Sequence, residues 1–299
     1  MGKTNIEWTN RTWNPIVGCS RVSEGCRNCY AERMAGTRLK HTERYKGLTK
    51  PGPDGPLWTG ETRFIKEEFN TPQSWRDPQK VFVCDMGDLF HESIADPQIE
   101  MVLQMPLRGA HRHTYQILTK RIERARDFFA HFWNHCYRTP EGEWIPINPA
   151  RNVWIGTSVE DQKTADERIP ILLQIPAAVR FVSYEPALGP VDFIPYTGHQ
   201  VHCCKCRWHR TEMNIMPQGK DWWCPECSSI CYTTSGIHQI IFGGESGPRK
   251  RPVDLAWAYE VRDNCKETGT AFFMKQVDKV QPIPDDLMIR EFPNGGRDA

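Results

Sequence analysis

Short apolar segments recur along the chain, and each is followed by polar residues and then by a segment with helical periodicity. These apolar segments are rich in β-branched and aromatic residues and do not alternate with polar ones, which is typical of strands buried on both faces of a sheet. They are KVFVCDMGD (80–88), YQILTKR (115–121), NVWIGTSVE (152–160), RFVSYEP (180–186), QIIFGGES (239–246) and AFFMKQ (271–276). TWNPIV (12–17) supplies a further strand, so that six or seven strands are predicted.

Helical patterns lie between the predicted strands and indicate the fold class. They cover about 96–108, 122–136, 162–173 and 253–268. An alternation of strand and helix predicts an α/β fold with a parallel sheet and right-handed crossover connections.

Two stretches interrupt this alternation. Residues 40–79 are rich in glycine, proline and charge, which predicts a long loop or lid. Residues 197–236 contain six cysteines and no strand–helix alternation, which predicts a small inserted module. The predicted domains are therefore a first part of the main domain over 1–196, the inserted module over 197–236, and a final part with a C-terminal tail over 237–299.

Polar side chains follow the predicted strands, at the point where each strand ends. The carboxyl ends of parallel strands meet at one edge of a sheet, where ligands bind in barrels and open α/β folds. We therefore expect one shared polar site. Its members would be Asp85, Asp88, Thr119, Lys120, Ser158, Glu160, Ser183, Glu185, Glu245, Ser246, Lys275 and Gln276.

Composition and charge narrow the class of protein. With 299 residues, 39% of them hydrophobic and 25% charged, the chain is typical of globular proteins. A net charge of +1 excludes a global basic field for nucleic acid but leaves a local basic patch open. The sequence shows neither a signal-peptide pattern nor an apolar run of membrane-spanning length, so we expect a cytoplasmic protein without a membrane segment. Disulfides are rare in that compartment, and the twelve cysteines therefore point to metal binding.

The first cysteine group lies in VGCSRVSEGCRNCYAER (17–33) and consists of Cys19, Cys26 and Cys29. Thiolates suit iron–sulfur clusters and zinc, and a structural zinc site needs four ligands. Three cysteines on one loop can bind three irons of a [4Fe–4S] cluster and leave the fourth iron open for a cofactor or substrate. The alternatives are a zinc knuckle with a remote fourth ligand, or cysteines that are buried as small apolar residues.

The second cysteine group has the spacing C-x2-C-x17-C-x2-C and consists of Cys203, Cys206, Cys224 and Cys227. Two C-x2-C knuckles complete a tetrahedral zinc site, so the spacing predicts a zinc ribbon. An auxiliary iron–sulfur cluster is the alternative. Basic residues interleaved with an aromatic one in CRWHR (206–210) favour contact with nucleic acid.

Several motifs carry a resemblance to a known family. GCSRVSEGCRNCYAER (18–33) resembles the cluster loop of radical S-adenosylmethionine enzymes, and most of all that of spore photoproduct lyase and its relatives, although the spacing between Cys19 and Cys26 is longer. DMGDLFH, ILTKR, RFVSYEP, GGESG and FFMKQ resemble a phage- and prophage-associated family that is known by its three-Cys motif and is radical-SAM-like.

The resemblance implies a partial (β/α)6 TIM-like barrel with a [4Fe–4S] cluster at its mouth and S-adenosylmethionine on the open iron. One-electron reduction would then cleave the cofactor to a 5′-deoxyadenosyl radical, which abstracts hydrogen from the substrate. The family's GGE motif normally follows the second strand, whereas here it follows a late one. The cofactor-binding residues expected on this basis are Tyr30, Asp85, Ser158, Glu160, Gly243, Gly244 and Glu245, and the catalytic residues are Asp88, Glu185 and Lys275.

The leading functional hypothesis is a radical S-adenosylmethionine enzyme that modifies or repairs a nucleic acid, such as DNA, or a nucleotide. Its partners would be an electron donor such as flavodoxin or ferredoxin and a further partner protein. A second hypothesis is a non-catalytic protein that binds nucleic acid or a partner and contains two structural metal sites. A third is a hydrolase or lyase that uses Asp85, Glu185 and Lys275 without a radical.

Overall fold

The computed structural model describes part of the chain in full and part by its backbone alone. Residues 4–132, 150–198, 226–227 and 236–293 are described with their side chains. The backbone alone is described for 136–138, 144–146, 199–203, 209–212, 222–223 and 230–235.

Seven parallel strands form the main sheet, and their order in space equals their order along the chain. They are β1 (Arg11–Trp13), β2 (Lys80–Val83), β3 (Thr114–Thr119), β4 (Val153–Val159), β5 (Val179–Tyr184), β6 (Gln239–Gly243) and β7 (Ala271–Gln276). The predicted α/β fold with a parallel sheet is therefore confirmed, and each predicted apolar segment contains a strand.

Five α-helices accompany the sheet and follow every strand from β1 to β6 except β5. They are α1 (Tyr30–Gly36), α2 (Asp96–Gln104), α3 (Ile122–Phe132), α4 (Gln162–Leu172) and α5 (Leu255–Thr268). The helix predicted over 96–108 changes to a π-type turn at Met105–Gly109, which contains a proline. The predicted start of the last helix at Val253 is wrong by two residues, because the side chain of Asp254 accepts from the backbone N–H of Ala256 and caps the helix.

Both faces of the sheet are buried, in agreement with the non-alternating apolar segments. On β2, Val81 and Val83 pack on the outer, helix-covered side, whereas Phe82 between them points to the inner side. The inner-face residues of β2 to β7 join one cluster with Trp8, so the sheet curls into an open half-barrel. The cluster consists of Trp8, Phe82, Trp154, Val179, Phe181, Ile241 and Phe273.

The predicted loop or lid over 40–79 contains short elements that pack against α1. Thr49–Gly52 and Gly55–Trp58 form a hairpin, and Arg63–Phe64 pairs with Ile16–Val17. Short 3-10 turns follow at Lys66–Glu68 and Thr71–Ser74. A second small core under this segment includes Tyr45, Leu48, Trp58 and Ile65 together with residues of α1.

Between β5 and β6 the chain forms a separate antiparallel sheet of four strands. In spatial order these strands are His209–Glu212, His199–Cys203, Ile230–Ser235 and Trp222–Trp223.

A hairpin of Cys136–Arg138 and Trp144–Pro146 follows α3. At the other end of the chain, residues 289–291 run beside β7 and cover its outer edge, with the N–H of Met274 donating to Ile289 O at 2.8 Å. Within the described ranges, no helix combines the length and the apolar character needed to cross a bilayer.

Candidate functional site

A cleft at the carboxyl ends of the strands brings the first cysteine group together with the predicted polar site. Its wall on one side is the loop over 18–29, called the cysteine loop below. The strand-end residues that line it are Asp85, Asp88, Thr119, Lys120, Arg121, Ser158, Ser183, Glu185, Glu245, Ser246 and Lys275. Cys19, Cys26, Cys29 and Tyr30 line the same cleft, and Ile6, Trp8, Phe82 and Leu118 form its apolar inner part.

The path of the cysteine loop depends on Gly18, which lies directly before Cys19. Gly18 has a φ of +94°, and a Cβ at this position would lie 2.3 Å from the backbone oxygen of Glu61. A short 3-10 turn, Glu24–Cys26, follows, and Cys29 is the N-cap residue of α1. The chain therefore turns sharply at Gly18 and enters α1 at Tyr30. All three cysteines lie on the short segment between these two points.

Arg121, at the end of β3, anchors the first cysteine. Its Nη1 lies 3.6 Å from Sγ of Cys19, and its Nη2 donates to Ser20 Oγ at 2.6 Å. Asp88 orients this guanidinium by accepting from Nη1 at 3.1 Å, and the same carboxylate accepts from Thr119 Oγ1 at 2.7 Å. Asp88 was predicted as a catalytic residue, and the structure places it as the buried partner of Arg121 and Thr119.

Glu160, at the end of β4, binds the middle of the cysteine loop. Its Oε1 accepts from Ser23 Oγ at 2.9 Å and from Lys120 Nζ at 2.5 Å, and its Oε2 accepts from Arg168 Nη1 at 3.0 Å. Burial works to raise the pKa of Glu160, but Lys120 and Arg168 outweigh it and the pKa lies below its usual value. Both oxygens of this predicted cofactor-binding residue are thus engaged by the protein itself.

Gly25 shows how closely the loop approaches this carboxylate. A Cβ on Gly25 would lie 2.3 Å from Oε1 of Glu160. Only glycine fits this approach without displacing the buried carboxylate.

Glu245, which follows β6, binds the last part of the cysteine loop in the same way. Its Oε2 accepts from Asn28 Nδ2 at 2.9 Å and from the N–H of Arg251 at 2.8 Å. Burial works to raise the pKa of Glu245, and the donors from Arg251 and Asn28 lower it below its usual value. The predicted cofactor-binding residues Glu160 and Glu245 therefore both position the loop.

Tyr30 and Asp85 join the start of α1 to the end of β2. The Tyr30 hydroxyl donates to Asp85 O at 2.8 Å and lies 3.2 Å from Asp85 Oδ2. Asn14 Nδ2 donates to Asp85 Oδ1 at 2.6 Å. Burial raises the pKa of the Asp85 carboxyl, against the opposing effect of its donors.

Glu185 and Lys275 form an ion pair across the ends of β5 and β7. Lys275 Nζ lies 2.6 Å from both carboxylate oxygens of Glu185, and Gln276 Nε2 donates to Oε1 at 3.3 Å. Unlike the carboxylates that bind the cysteine loop, this pair forms no hydrogen bond or ion pair with the loop among the described residues. Its side chains keep 20% and 11% of their surface exposed and line the cleft, so they can meet a bound molecule.

Two serine hydroxyls and two glycines complete the predicted set. Ser158 and Ser183 are register partners on β4 and β5, and both line the cleft. Neither hydroxyl bonds to another residue in the part of the chain that the structure describes. The backbone of Gly243 and Gly244 is occupied, since Gly243 O accepts from Ala187 N at 3.0 Å and Gly244 N donates to Gln276 O at 3.3 Å.

Three thiols on one wall of a cleft are a donor set that suits an iron–sulfur cluster. Burial raises the pKa of Cys19 to about 12, with Asp88 as the next cause, and burial also raises the pKa of Cys29. Binding to a positive metal centre would offset this cost and favour the thiolate form of both cysteines. In the ranges the structure describes, no group of three or more His, Cys, Asp or Glu side chains is placed to bind a single metal ion. A cubane cluster does not need three side chains to meet at one metal ion, because each thiolate binds a different iron.

The second cysteine group falls largely outside the described side chains. Cys206 and Cys224 lie outside the described residues, and only the backbone of Cys203 is described. The backbone of Cys203 pairs with that of Cys231 in the antiparallel sheet, and Cys227 lies in a turn. The zinc ribbon therefore stays a prediction.

Several residues of the site are not among the predicted cofactor-binding, catalytic or metal-binding residues. Ser23 and Asn28 bind the strand-end carboxylates, and Arg121 reaches the sulfur of Cys19. His91 lies between the hydroxyls of Ser20 and Ser93 at 3.0 and 2.9 Å. The one available signal is position, since all four residues lie within quoted segments: Ser23 and Asn28 in the cysteine loop, His91 at the end of DMGDLFH and Arg121 at the end of YQILTKR.

Comparison with known proteins identifies the family. Neither a curated protein nor a solved structure matches the chain. The family described as protein of unknown function (DUF5131) matches residues 3–289, which is nearly the whole chain, and the protein therefore belongs to the DUF5131 family.

Proposed function

We propose that the protein is a radical S-adenosylmethionine-type enzyme that binds a [4Fe–4S] cluster through Cys19, Cys26 and Cys29. The observation that carries the proposal is the shared cleft, in which three thiols face the carboxyl ends of a curled parallel sheet. A purely structural metal site would not need the polar strand ends opposite it. The open half-barrel agrees with the partial TIM-like barrel that the resemblance implies.

The residues of the chain have separate tasks in this proposal. Arg121, Glu160 and Glu245 each bind a different part of the cysteine loop and keep its cysteines facing the cleft. Ligand-orienting contacts of this kind commonly tune the affinity and potential of a metal centre. The apolar inner part of the cleft excludes water from the reacting atoms.

Ser158, Ser183 and the Glu185–Lys275 pair are the polar groups left to meet a bound molecule. Two hydroxyls can donate to or accept from a cofactor, and the ammonium of Lys275 can bind a carboxylate or transfer a proton. When bound, the cluster would pass one electron to S-adenosylmethionine, which would be cleaved to methionine and a 5′-deoxyadenosyl radical. The substrate we propose is a nucleic acid, such as DNA, or a nucleotide, by analogy with the lyase branch. The electron donor would be a flavodoxin or ferredoxin, and zinc would occupy the inserted module.

Iron and acid-labile sulfide content after anaerobic purification tests the proposal. We expect about four irons and four sulfides per chain, and cleavage of S-adenosylmethionine when dithionite is added. Cys26→Ala should lose iron and cleavage together. Cys265→Ala is the matched control, because Cys265 is buried in α5 away from the cleft and should retain both.

Two results would contradict the proposal. Zinc without sulfide in the wild-type protein would favour the non-catalytic binding protein with two structural metals. Iron binding that survives Cys26→Ala unchanged would mean that the cysteine loop is not the ligand set.

A further inference from the structure

The wall of the cleft that carries the cysteines is much more basic than the rest of the chain. Residues 19–40 and 246–252 together contain eight lysines and arginines and only two glutamates, a net charge of +6, whereas the whole chain has a net charge of +1. Three of these cations, Arg249, Lys250 and Arg251, pair with the carboxylates of Asp54, Asp278 and Glu245 from outside the two segments, which leaves a smaller positive excess at this wall.

Several of these cations are free to bind a partner. Arg27, Arg33, Arg38 and Lys40 are exposed, and none of them forms an ion pair with an acidic side chain in the described part of the chain. A cation in a buried ion pair gains little from a new anion, whereas an exposed ion pair is weak and can be exchanged for contact with a phosphate.

Two segments that are far apart in sequence meet at this wall. Asn28 Nδ2 donates to Arg249 O at 2.9 Å, which attaches the 246–252 segment to the cysteine loop. The guanidinium of Arg33 packs against Gly247, where a Cβ would lie 2.5 Å from its Nη1. Arg249 keeps 56% of its side chain exposed while its Nη1 contacts Asp54 at 2.8 Å. Arg27, Arg33 and Arg249 do not line the cleft themselves, but they adjoin or contact Asn28 and the 246–252 segment, which include lining residues; the three arginines are called the basic rim below.

The inner part of the cleft is apolar and aromatic. Trp8 and Phe82 line its inner part with ring centroids 4.7 Å apart, next to Ile6 and Leu118. Trp8 and Phe82 are buried, so the inner part offers a base an apolar surface, and arginines outside the cleft can bind the phosphates of the strand.

We propose that the basic rim binds the phosphate backbone of a nucleic acid strand and thereby directs one base of that strand into the cleft. This inference rests on the proposed function for the chemistry that follows, but the binding itself does not need the cluster. An acidic electron-donor protein is the competing occupant of the same rim, and the test separates the two.

Binding of a fluorescein-labelled single-stranded DNA oligonucleotide, followed by fluorescence anisotropy, is the decisive experiment. The triple variant Arg27→Ala, Arg33→Ala, Arg249→Ala should bind at least about tenfold more weakly at moderate salt. The slope of log affinity against log salt, measured between about 50 and 200 mM, should fall in magnitude by about 2. The matched control is Arg76→Ala, Arg151→Ala, Lys266→Ala, which removes three exposed cations at the opposite, amino ends of the strands. This control should bind as the wild type does.

The outcomes distinguish failure of the rim from failure of the proposed function. If Cys26→Ala loses iron but still binds the oligonucleotide, the rim acts independently of the cluster, as we infer. If the wild type cleaves S-adenosylmethionine but the rim variant binds DNA unchanged, the inference is overturned while the enzymatic proposal stands. If the rim variant binds DNA unchanged but accepts electrons more slowly from reduced flavodoxin, the rim is a docking site for the donor, and the inference is likewise overturned.

Discussion

Arg121 Nη1 lies 3.6 Å from Sγ of Cys19, although 102 residues separate the two along the chain. The guanidinium is buried with Asp88, which accepts from the same nitrogen at 3.1 Å. A fixed cation is thus placed next to one thiol of the cysteine loop, where the negative charge of a metal–thiolate centre would lie. Charges and hydrogen bonds beside cluster sulfurs are among the features that set reduction potentials.

We expect Arg121→Gln to make the proposed [4Fe–4S] cluster harder to reduce. Removal of the cation destabilises the reduced, more negative state, and the midpoint potential should fall by roughly 60 mV, which is about tenfold in the one-electron equilibrium. The measurement is an anaerobic redox titration followed by electron paramagnetic resonance. Arg126→Gln removes a half-buried arginine of the neighbouring helix α3 and should leave the potential unchanged. An equal shift in both variants would assign the effect to net charge alone.

The strands of the fold could be predicted because both faces of the sheet are buried. On β4 every residue is buried, including Thr157 and Ser158, so no charged residue interrupts the segment that marks the strand. The carboxyl ends could be predicted to converge because parallel strands place them at one edge. The α/β class and the location of a polar cleft follow from these two facts.

The roles of individual strand-end residues could not be predicted, because each depends on a partner that is distant in sequence. Glu160 was expected to contact a cofactor, but 137 residues separate it from Ser23, whose hydroxyl it binds. Glu245 and Asn28 are separated by 217 residues. A sequence pattern places such groups at the same end of the sheet without indicating which carboxylates are already engaged and which remain open.

We expect Glu160→Gln to destabilise the protein by about 3 kcal/mol. The substitution leaves Lys120 and Arg168 buried beside a neutral amide and weakens the acceptor for Ser23. The free energy of unfolding in urea is the quantity to measure. Glu167→Gln is the control, because Glu167 keeps 57% of its side chain exposed and its pair with Lys163 spans 3.9 Å, so the loss should be below about 1 kcal/mol.

The difference in stability between the wild type and Glu160→Gln should depend on pH. The pKa of Glu160 lies below its usual value of 4.5 in the folded state, so its contribution to stability is present above pH 4.5. That contribution is lost as the pH falls through the folded pKa. The difference in unfolding free energy between wild type and Glu160→Gln should therefore narrow in acid. A difference that stays constant through this range would mean that the ionised carboxylate is not what stabilises the fold.

We expect Gly25→Ala to reduce iron retention while the main sheet stays folded. Its new Cβ would meet Oε1 of Glu160 at 2.3 Å, and the cysteine loop would have to move away from the end of β4. Iron content after desalting and the circular dichroism spectrum are the two readouts. Gly189→Ala is the control, since its Cβ would make an ordinary contact of 3.5 Å with Asp161, and it should retain iron. Full retention in Gly25→Ala would show that the close approach to Glu160 does not matter for cluster binding.

Substitutions in the Glu185–Lys275 pair should lower the rate of catalysis without affecting cluster assembly. Lys275→Met should keep its iron, because the ammonium of Lys275 pairs with Glu185 and forms no hydrogen bond with a described residue of the cysteine loop. Its rate of S-adenosylmethionine cleavage should nevertheless fall by about a hundredfold or more. The single variant also leaves the Glu185 carboxylate without its cation, so loss of stability must be told apart from loss of chemistry. The double variant Lys275→Met, Glu185→Gln removes both charges and should recover stability in urea without recovering the rate. Recovery of the rate together with stability would mean that the pair is a structural ion pair and that Lys275 is not catalytic.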